Sequence, residues 1–150
     1  MCHYCGCRDI PLIREYVAEH ESVTDLGGGA VRALGRGDHG AARDLVRRMA
    51  VELRAHWQGE EAGLFAQMHE DEEYAAYIDA LVREHRELEA FLAALDLADP
   101  AQRAALVRAV EELHHHIAKE EDGLFPASLT ALRGDQWDRA MAAWGAVRRG

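Results

Sequence analysis

Two decapeptides constrain this chain more than anything else in it. His56 to Phe65 reads HWQGEEAGLF, and His116 to Phe125 reads HIAKEEDGLF. The His, both Glu, the Gly, the Leu and the Phe coincide. In each string a Glu stands four residues after the His. That spacing means little in a strand, but on a helix it stacks both side chains on one face, one turn apart. The Leu-Phe that follows extends the same stretch with core-forming residues. The chain must therefore build at least two helices that turn ionisable groups toward an apolar interior.

The rest of the sequence agrees with helices. Ala, Leu, Glu and Arg dominate, strand signals are nearly absent, and apolar residues recur three and four apart. A first helix starts at Pro11, with Asp9 as its expected cap, and turns Ile13, Tyr16, Val17, His20, Val23 and Thr24 to one side. It is expected to run on through Gly27–Gly29 with local looseness, then break at Gly35–Asp38. Asp38 caps a second helix from about His39 to Met68, whose inner face includes Leu45, Met49, Glu52 or Leu53, His56, Glu60 and Leu64. A third spans about Glu72 to Leu95. A fourth follows Asp99-Pro100 and reaches Phe125, where Pro126 is expected to kink or end it. A short fifth helix runs from about Gln136 to Val147, after a cap signal at Gly134-Asp135.

Long helices joined by short turns pack as antiparallel neighbours. The expected fold is all-α: an up-down-up-down four-helix bundle over residues 10–132. A Cys-rich segment precedes it (1–9) and the short helix follows it (133–150).

His20, His56, His85 and His116 fall near the middle of the four long helices, each on the apolar face. Mid-helix positions of an antiparallel bundle share one height, so the four imidazoles converge on one level. Glu60 and Glu120 join them through the four-residue spacing. Four nitrogens and two carboxylates are too many donors for one tetrahedral zinc, but they suit two ions with vacant positions. Buried carboxylates without partners are strongly disfavoured, so this level of the core must supply cations or raise the carboxylate pKa values.

These residues resemble the hemerythrin-like, or HHE cation-binding, family over about Ile10 to Phe125. The resemblance rests on His20, His56-x-x-x-Glu60, His85 and His116-x-x-x-Glu120 in combination, and on the Glu-Glu doublets followed by Leu-Phe. It implies a non-haem di-iron centre bridged by two carboxylates, with an oxo or hydroxo bridge between the irons. It also implies chemistry with dioxygen, hydrogen peroxide or nitric oxide in redox or stress protection. Zinc or manganese would suit the same donors. The sequence departs from the oxygen-carrying members in helix 3, where they have a second His one turn before His85 and this chain has Leu81. Glu89, one turn later, is either a carboxylate donor or a surface residue, and a tyrosine (Tyr77, Tyr74 or Tyr16) or water is the alternative occupant of the vacancy. Those members also bridge through the residue five after the last His, here Glu121. The duplicated string favours Glu120 instead, and both stay open. Glu61 is a further candidate at or behind the site.

A shell poorer in nitrogen favours turnover of peroxide, oxygen or nitric oxide, catalase-like or nitric-oxide-reducing, over reversible oxygen carriage. An iron- or oxygen-sensing module, and reversible oxygen binding without turnover, are the alternatives.

Cys2, Cys5 and Cys7 form a second chemical signal beside His3. Their spacing suits a second metal or a redox-active dithiol passing electrons to the centre. An electron donor and a small diatomic or peroxide ligand are the expected partners. The net charge of −10, from 27 acidic and 17 basic residues, excludes a nucleic-acid surface. No apolar run approaches the ~20 residues of a membrane helix, and the first residues lack the apolar stretch of a signal peptide. A cytoplasmic protein is expected.

Overall fold

The computed structural model describes residues 6–150; Cys2 and Cys5 lie outside the described residues. A 3-10 turn, Cys7–Asp9, leads into α1 (Pro11–Gly35). Then follow α2 (His39–Ala62), α3 (Leu64–His69), α4 (Glu72–Ala94) and α5 (Pro100–Lys119). A π-helical segment, Glu120–Leu124, joins α5 to α6 (Phe125–Ala131), and α7 (Gly134–Arg149) closes the chain. The described residues form no strand. α1, α2 with α3, α4, and α5 with α6 are the four rods of an antiparallel bundle; α7 lies across α2 and α3.

The helix starts follow local chemistry. The Asp38 carboxylate accepts from the Ala41 N–H at 3.0 Å, and Asp71 and Asp99 cap α4 and α5 in the same manner. Asp9 does not cap α1. Ile10 occupies the cap position and Pro11 the first turn, where a missing N–H costs nothing. α7 starts earlier than expected, with the Gln136 side chain accepting from the Arg133 N–H at 2.9 Å.

The glycine run does not interrupt α1. A Cβ on Gly27 would sit 3.3 Å from Met49 Sδ and 3.4 Å from Val110 Cγ1, so the missing side chain lets α2 and α5 approach α1. Thr24 is only half-buried, and its hydroxyl donates back to the His20 carbonyl at 2.9 Å. On α2 the inward residue of the Glu52/Leu53 pair is Leu53, at 1 % exposure.

Two expected boundaries are wrong, and both errors fall inside the duplicated strings. The second helix is not one rod. It breaks at Gly63 (φ −96°, ψ −105°), and α3 restarts at Leu64. A Cβ on Gly63 would lie 2.7 Å from the Gly59 carbonyl oxygen, 2.8 Å from the Tyr16 hydroxyl and 2.9 Å from the Ala140 carbonyl oxygen, so only glycine fits. Pro126 does not end the fourth helix. It falls in the first turn of α6, directly after the π segment, and the helix runs on to Ala131. The wider π turn changes the hydrogen-bond register there, so a residue without an N–H is tolerated.

The core is layered. One apolar cluster holds Leu12, Ile13, Tyr16, Leu64, Phe65, Leu81 and Phe125. A second holds Val23, Leu26, Met49, Leu53, Trp57 and Leu113, and a third fills the end near Leu106 and Leu97. The imidazoles meet both of the first two layers: His20 stacks on Phe125 and His85 on Phe65 of the first, and His85 also on Trp57 of the second. Each large side chain buried in those layers contributes about 1.5–3 kcal/mol. That apolar packing holds the polar level in place.

Candidate metal centre

His20, His56, His85 and His116 are at most 6 % exposed, and Glu60 and Glu120 are fully buried. The two carboxylates divide their oxygens between two pairs of imidazoles. Glu60 Oε1 lies 2.9 Å from His56 Nε2 and 3.4 Å from His20 Nε2, while its Oε2 lies 3.4 Å from His85 Nε2. Glu120 Oε1 lies 3.1 Å from His20 Nε2, while its Oε2 lies 3.4 Å from His116 Nε2 and 3.9 Å from His85 Nε2. Two groups result, His20–His56–Glu60–Glu120 and Glu60–His85–His116–Glu120, each with its ligand atoms within 4.8 Å of one another.

All four carboxylate oxygens are buried without a hydrogen-bond partner, as is His20 Nε2. Leaving such charges unpaired would cost several kcal/mol each. Protonated imidazoles supply the positive charge when nothing else does. Burial alone would push the His20 pKa down, but the nearby carboxylates of Glu120, Glu121 and Glu60 outweigh it and hold the pKa well above the usual histidine range. The same opposition, with burial against Glu120 and Glu61, lifts His85 to about 9. Burial and repulsion from Glu120 push Glu60 up, but His56 and His20 win and lower it. Glu120 falls well below the usual carboxylate value, because its four-residue partner His116, with His20 and His85, overcomes burial. A divalent metal ion would replace these protons and satisfy the orphaned oxygens at once. The donor set, imidazole nitrogen with carboxylate oxygen, fits such an ion.

The outer nitrogens are held as well. His20 Nδ1 donates to Glu121 Oε2, His56 Nδ1 to Glu19 Oε1, and His85 Nδ1 to Glu61 Oε2, each at 2.7 Å. His116 Nδ1 faces Glu84 Oε1 at a looser 3.5 Å. Each of these four carboxylates is paired in turn with a cation: Arg8 on Glu121, Arg148 on Glu19, Arg86 on Glu61 and Lys119 on Glu84. A proton fixed on Nδ1 leaves the Nε2 lone pair aimed at the centre, the form a metal needs.

The supports run in a ring. Glu19 of α1 backs His56 of α2, and Glu61 of α2 backs His85 of α4. Glu84 of α4 backs His116 of α5, and Glu121 of the π segment backs His20 of α1. Every helix thus orients the imidazole of the next.

The model of the hemerythrin HHE cation-binding domain matches residues 12–128, a span that holds all six residues of the centre. The chain belongs to the hemerythrin HHE family. It is a metal-binding, hemerythrin-like protein. No curated protein and no solved structure matches it.

Within this HHE domain the two Glu of each doublet separate cleanly. Glu60 and Glu120 face the metal groups, while Glu61 and Glu121 stand behind imidazoles of neighbouring helices. The π segment is what buries Glu120 and Glu121 together, at 0 % and 7 % exposure, because its extra residue per turn widens the inward arc.

The other candidate donors lie elsewhere. Glu89 is half-exposed on α4 and faces Arg54 at 4.0 Å. The Tyr77 hydroxyl donates to the Lys119 carbonyl at 2.9 Å. Tyr74 packs against the first apolar layer. Tyr16 is buried beside the centre, but its hydroxyl donates to the Gly59 carbonyl and accepts from the Leu64 N–H. Burial, with repulsion from Glu60, pushes its pKa far up and keeps it a phenol. Leu81 is buried in the first apolar layer. His114 and His115 are exposed. Cys7 is buried in the first apolar layer.

Glu19, Glu84 and the four cations were not anticipated from the sequence. A signal was present: an acid stands directly beside a residue of the centre on every long helix, in Glu19-His20, Glu60-Glu61, Glu84-His85 and Glu120-Glu121. Adjacent residues on a helix point about 100° apart, so when one faces the centre the other faces the neighbouring helix. No described helix is long and apolar enough to cross a membrane.

Proposed function

We propose that the protein holds two iron ions and uses them to react with dioxygen, hydrogen peroxide or nitric oxide in protection against redox stress. His20 and His56 would hold one ion, and His85 and His116 the other. Glu60 and Glu120 would bridge them. The observation that carries this reading is the division of both fully buried carboxylates between the two imidazole pairs. A single ion would use only one side of each.

Bound iron supplies the one- and two-electron chemistry. The protein's own residues do the rest. The Nδ1 hydrogen bonds of His20, His56 and His85 fix which nitrogen of each of those rings is free. The apolar layers above and below exclude water, which strengthens every electrostatic contact inside. Tyr16, stacked at 5.8 Å on Phe125, closes the level from below. The imidazole set offers two donors per ion, which leaves room for an exogenous ligand and favours turnover over reversible carriage. Sustained turnover of oxygen or nitric oxide would require an external electron donor.

Reconstitution of the purified protein with Fe(II) in air tests the reading. Metal analysis should give two irons per chain, with a visible charge-transfer band and disproportionation of added peroxide. Reversible uptake of dioxygen without turnover would favour a binding or sensing role. A colourless protein holding zinc or no metal would reduce the centre to a structural one.

A further inference from the structure

The two halves of the centre differ in their surroundings. α4 and α5 enclose a pocket of about 280 Å³ whose inner wall includes His85, His116 and Trp57. Its outer residues, Glu87, Arg108 and Glu112, are exposed, so it opens to solvent. A hollow on the opposite flank, between α1, α2 and α7, ends at Glu19 and touches neither His20 nor His56.

That flank is closed by specific contacts. Phe125 stacks on His20 at 6.0 Å with the rings 4° from parallel. Trp144 Nε1 donates to Glu19 at 3.0 Å, and Arg148 pairs with the same carboxylate. Arg8 closes over Glu121 at 3.0 Å.

The pocket is larger than a diatomic ligand needs. Taking about 30 Å³ for a water-sized portion of liquid, it holds a molecule of roughly ten non-hydrogen atoms. Leu88, Phe91, Ala105 and Leu113 make its walls apolar, and Trp57 lies on His85 at 5.0 Å with the rings 17° apart, flat against the pocket's inner end. Glu84 is neutralised by Lys119, and Glu87 and Glu112 against Arg108 leave the rim acidic, which disfavours anions. At the inner wall the buried Nδ1 of His116 makes no hydrogen bond and has only a loose contact with Glu84 Oε1 at 3.5 Å.

We propose that this pocket is a binding chamber for a small neutral organic molecule, with an apolar body and one polar end, and that such a molecule reaches the centre on its His85–His116 side alone. The apolar body would lie along Phe91 and Leu113. The polar end would point toward His116, whose Nδ1 is held only loosely by Glu84. This rests on the metal-centre reading only for what the ligand does after it arrives; the chamber itself consists of residues of this chain.

4-Bromophenol is a suitable probe. Crystals of the iron-loaded protein soaked with it should show the anomalous signal of bromine between α4 and α5. In solution, Ala105→Trp should weaken binding tenfold or more, while Ser22→Trp, in the opposite hollow, should leave it unchanged. Melting temperature and iron content check that each variant is folded, and Ala105→Leu replaces the tryptophan variant if that one does not fold. Bromine in the opposite hollow, an equal loss in Ser22→Trp, or no loss in either alanine variant overturns the proposal. A protein without iron but with bromine in the pocket would sink the metal reading and keep the chamber. Two irons and no bromine would do the reverse.

Discussion

Glu61 accepts a hydrogen bond from His85 Nδ1 at 2.7 Å across a 24-residue separation, from one helix to the next. Its neighbour Glu60 points the other way, into the centre. Glu61→Gln should therefore leave the fold nearly intact and loosen the metal. Lost supports of this kind typically cost ~10–100-fold in metal affinity. Glu19→Gln and Glu121→Gln should behave alike, since their distances are the same. Glu84→Gln should do least, because its contact with His116 is 3.5 Å. Chelator competition on the four variants gives the order.

The carboxylates inside the ring have a different signature. On the proposed two-ion reading, Glu60→Ala or Glu120→Ala should lower the metal content to one ion per chain or none. Glu89→Ala and Tyr77→Phe should keep both, since those side chains face Arg54 and the Lys119 carbonyl. Metal analysis after reconstitution separates the two sets.

Stability of the metal-free protein should depend on pH in a fixed sense. His85 rises from 6.5 to about 9 on folding, and His20 is raised as well, so their contribution is complete below pH 6.5 and that of His85 fades as pH climbs through 9. Glu60 and Glu120 are lowered from 4.5, so theirs is present above pH 4.5 and is lost on acidification. Melting temperature should peak between these limits. Bound zinc, supplying the positive charge without protons, should abolish the decline toward pH 9. Calorimetry of the metal-free and zinc-loaded forms over this range is the check, and an unchanged slope after zinc would contradict it.

Gly63→Ala tests the break in the second helix. The new methyl would meet the Gly59 and Ala140 carbonyl oxygens at 2.7 and 2.9 Å. Overpacking of this kind costs about 1–3 kcal/mol. Gly35→Ala, which meets nothing within 4 Å, should be neutral or slightly stabilising. Urea unfolding of both variants gives the comparison.

The bundle and the convergence of His20, His56, His85 and His116 were legible early because they depend on periodicity. A helix repeats every 3.6 residues whatever surrounds it, so apolar stripes and the His-to-Glu spacing translate directly into faces. The boundaries at Gly63 and Glu120–Leu124 were not legible. The first depends on how closely Tyr16 and Ala140 approach, and the second on a π turn that no local preference announces.

The duplicated strings show where the division lies. By itself the sequence determined that HWQGEEAGLF and HIAKEEDGLF are helical and each turn a His and a Glu inward, since spacing along one helix is set by the backbone. Only the tertiary structure decided what the second Glu of each doublet does. Glu61 and Glu121 act on His85 and His20, residues of other helices, and their 2.7 Å contacts depend on the distance and rotation between packed rods. Those quantities come from the fit of many side chains across the core, and no short stretch of sequence contains them.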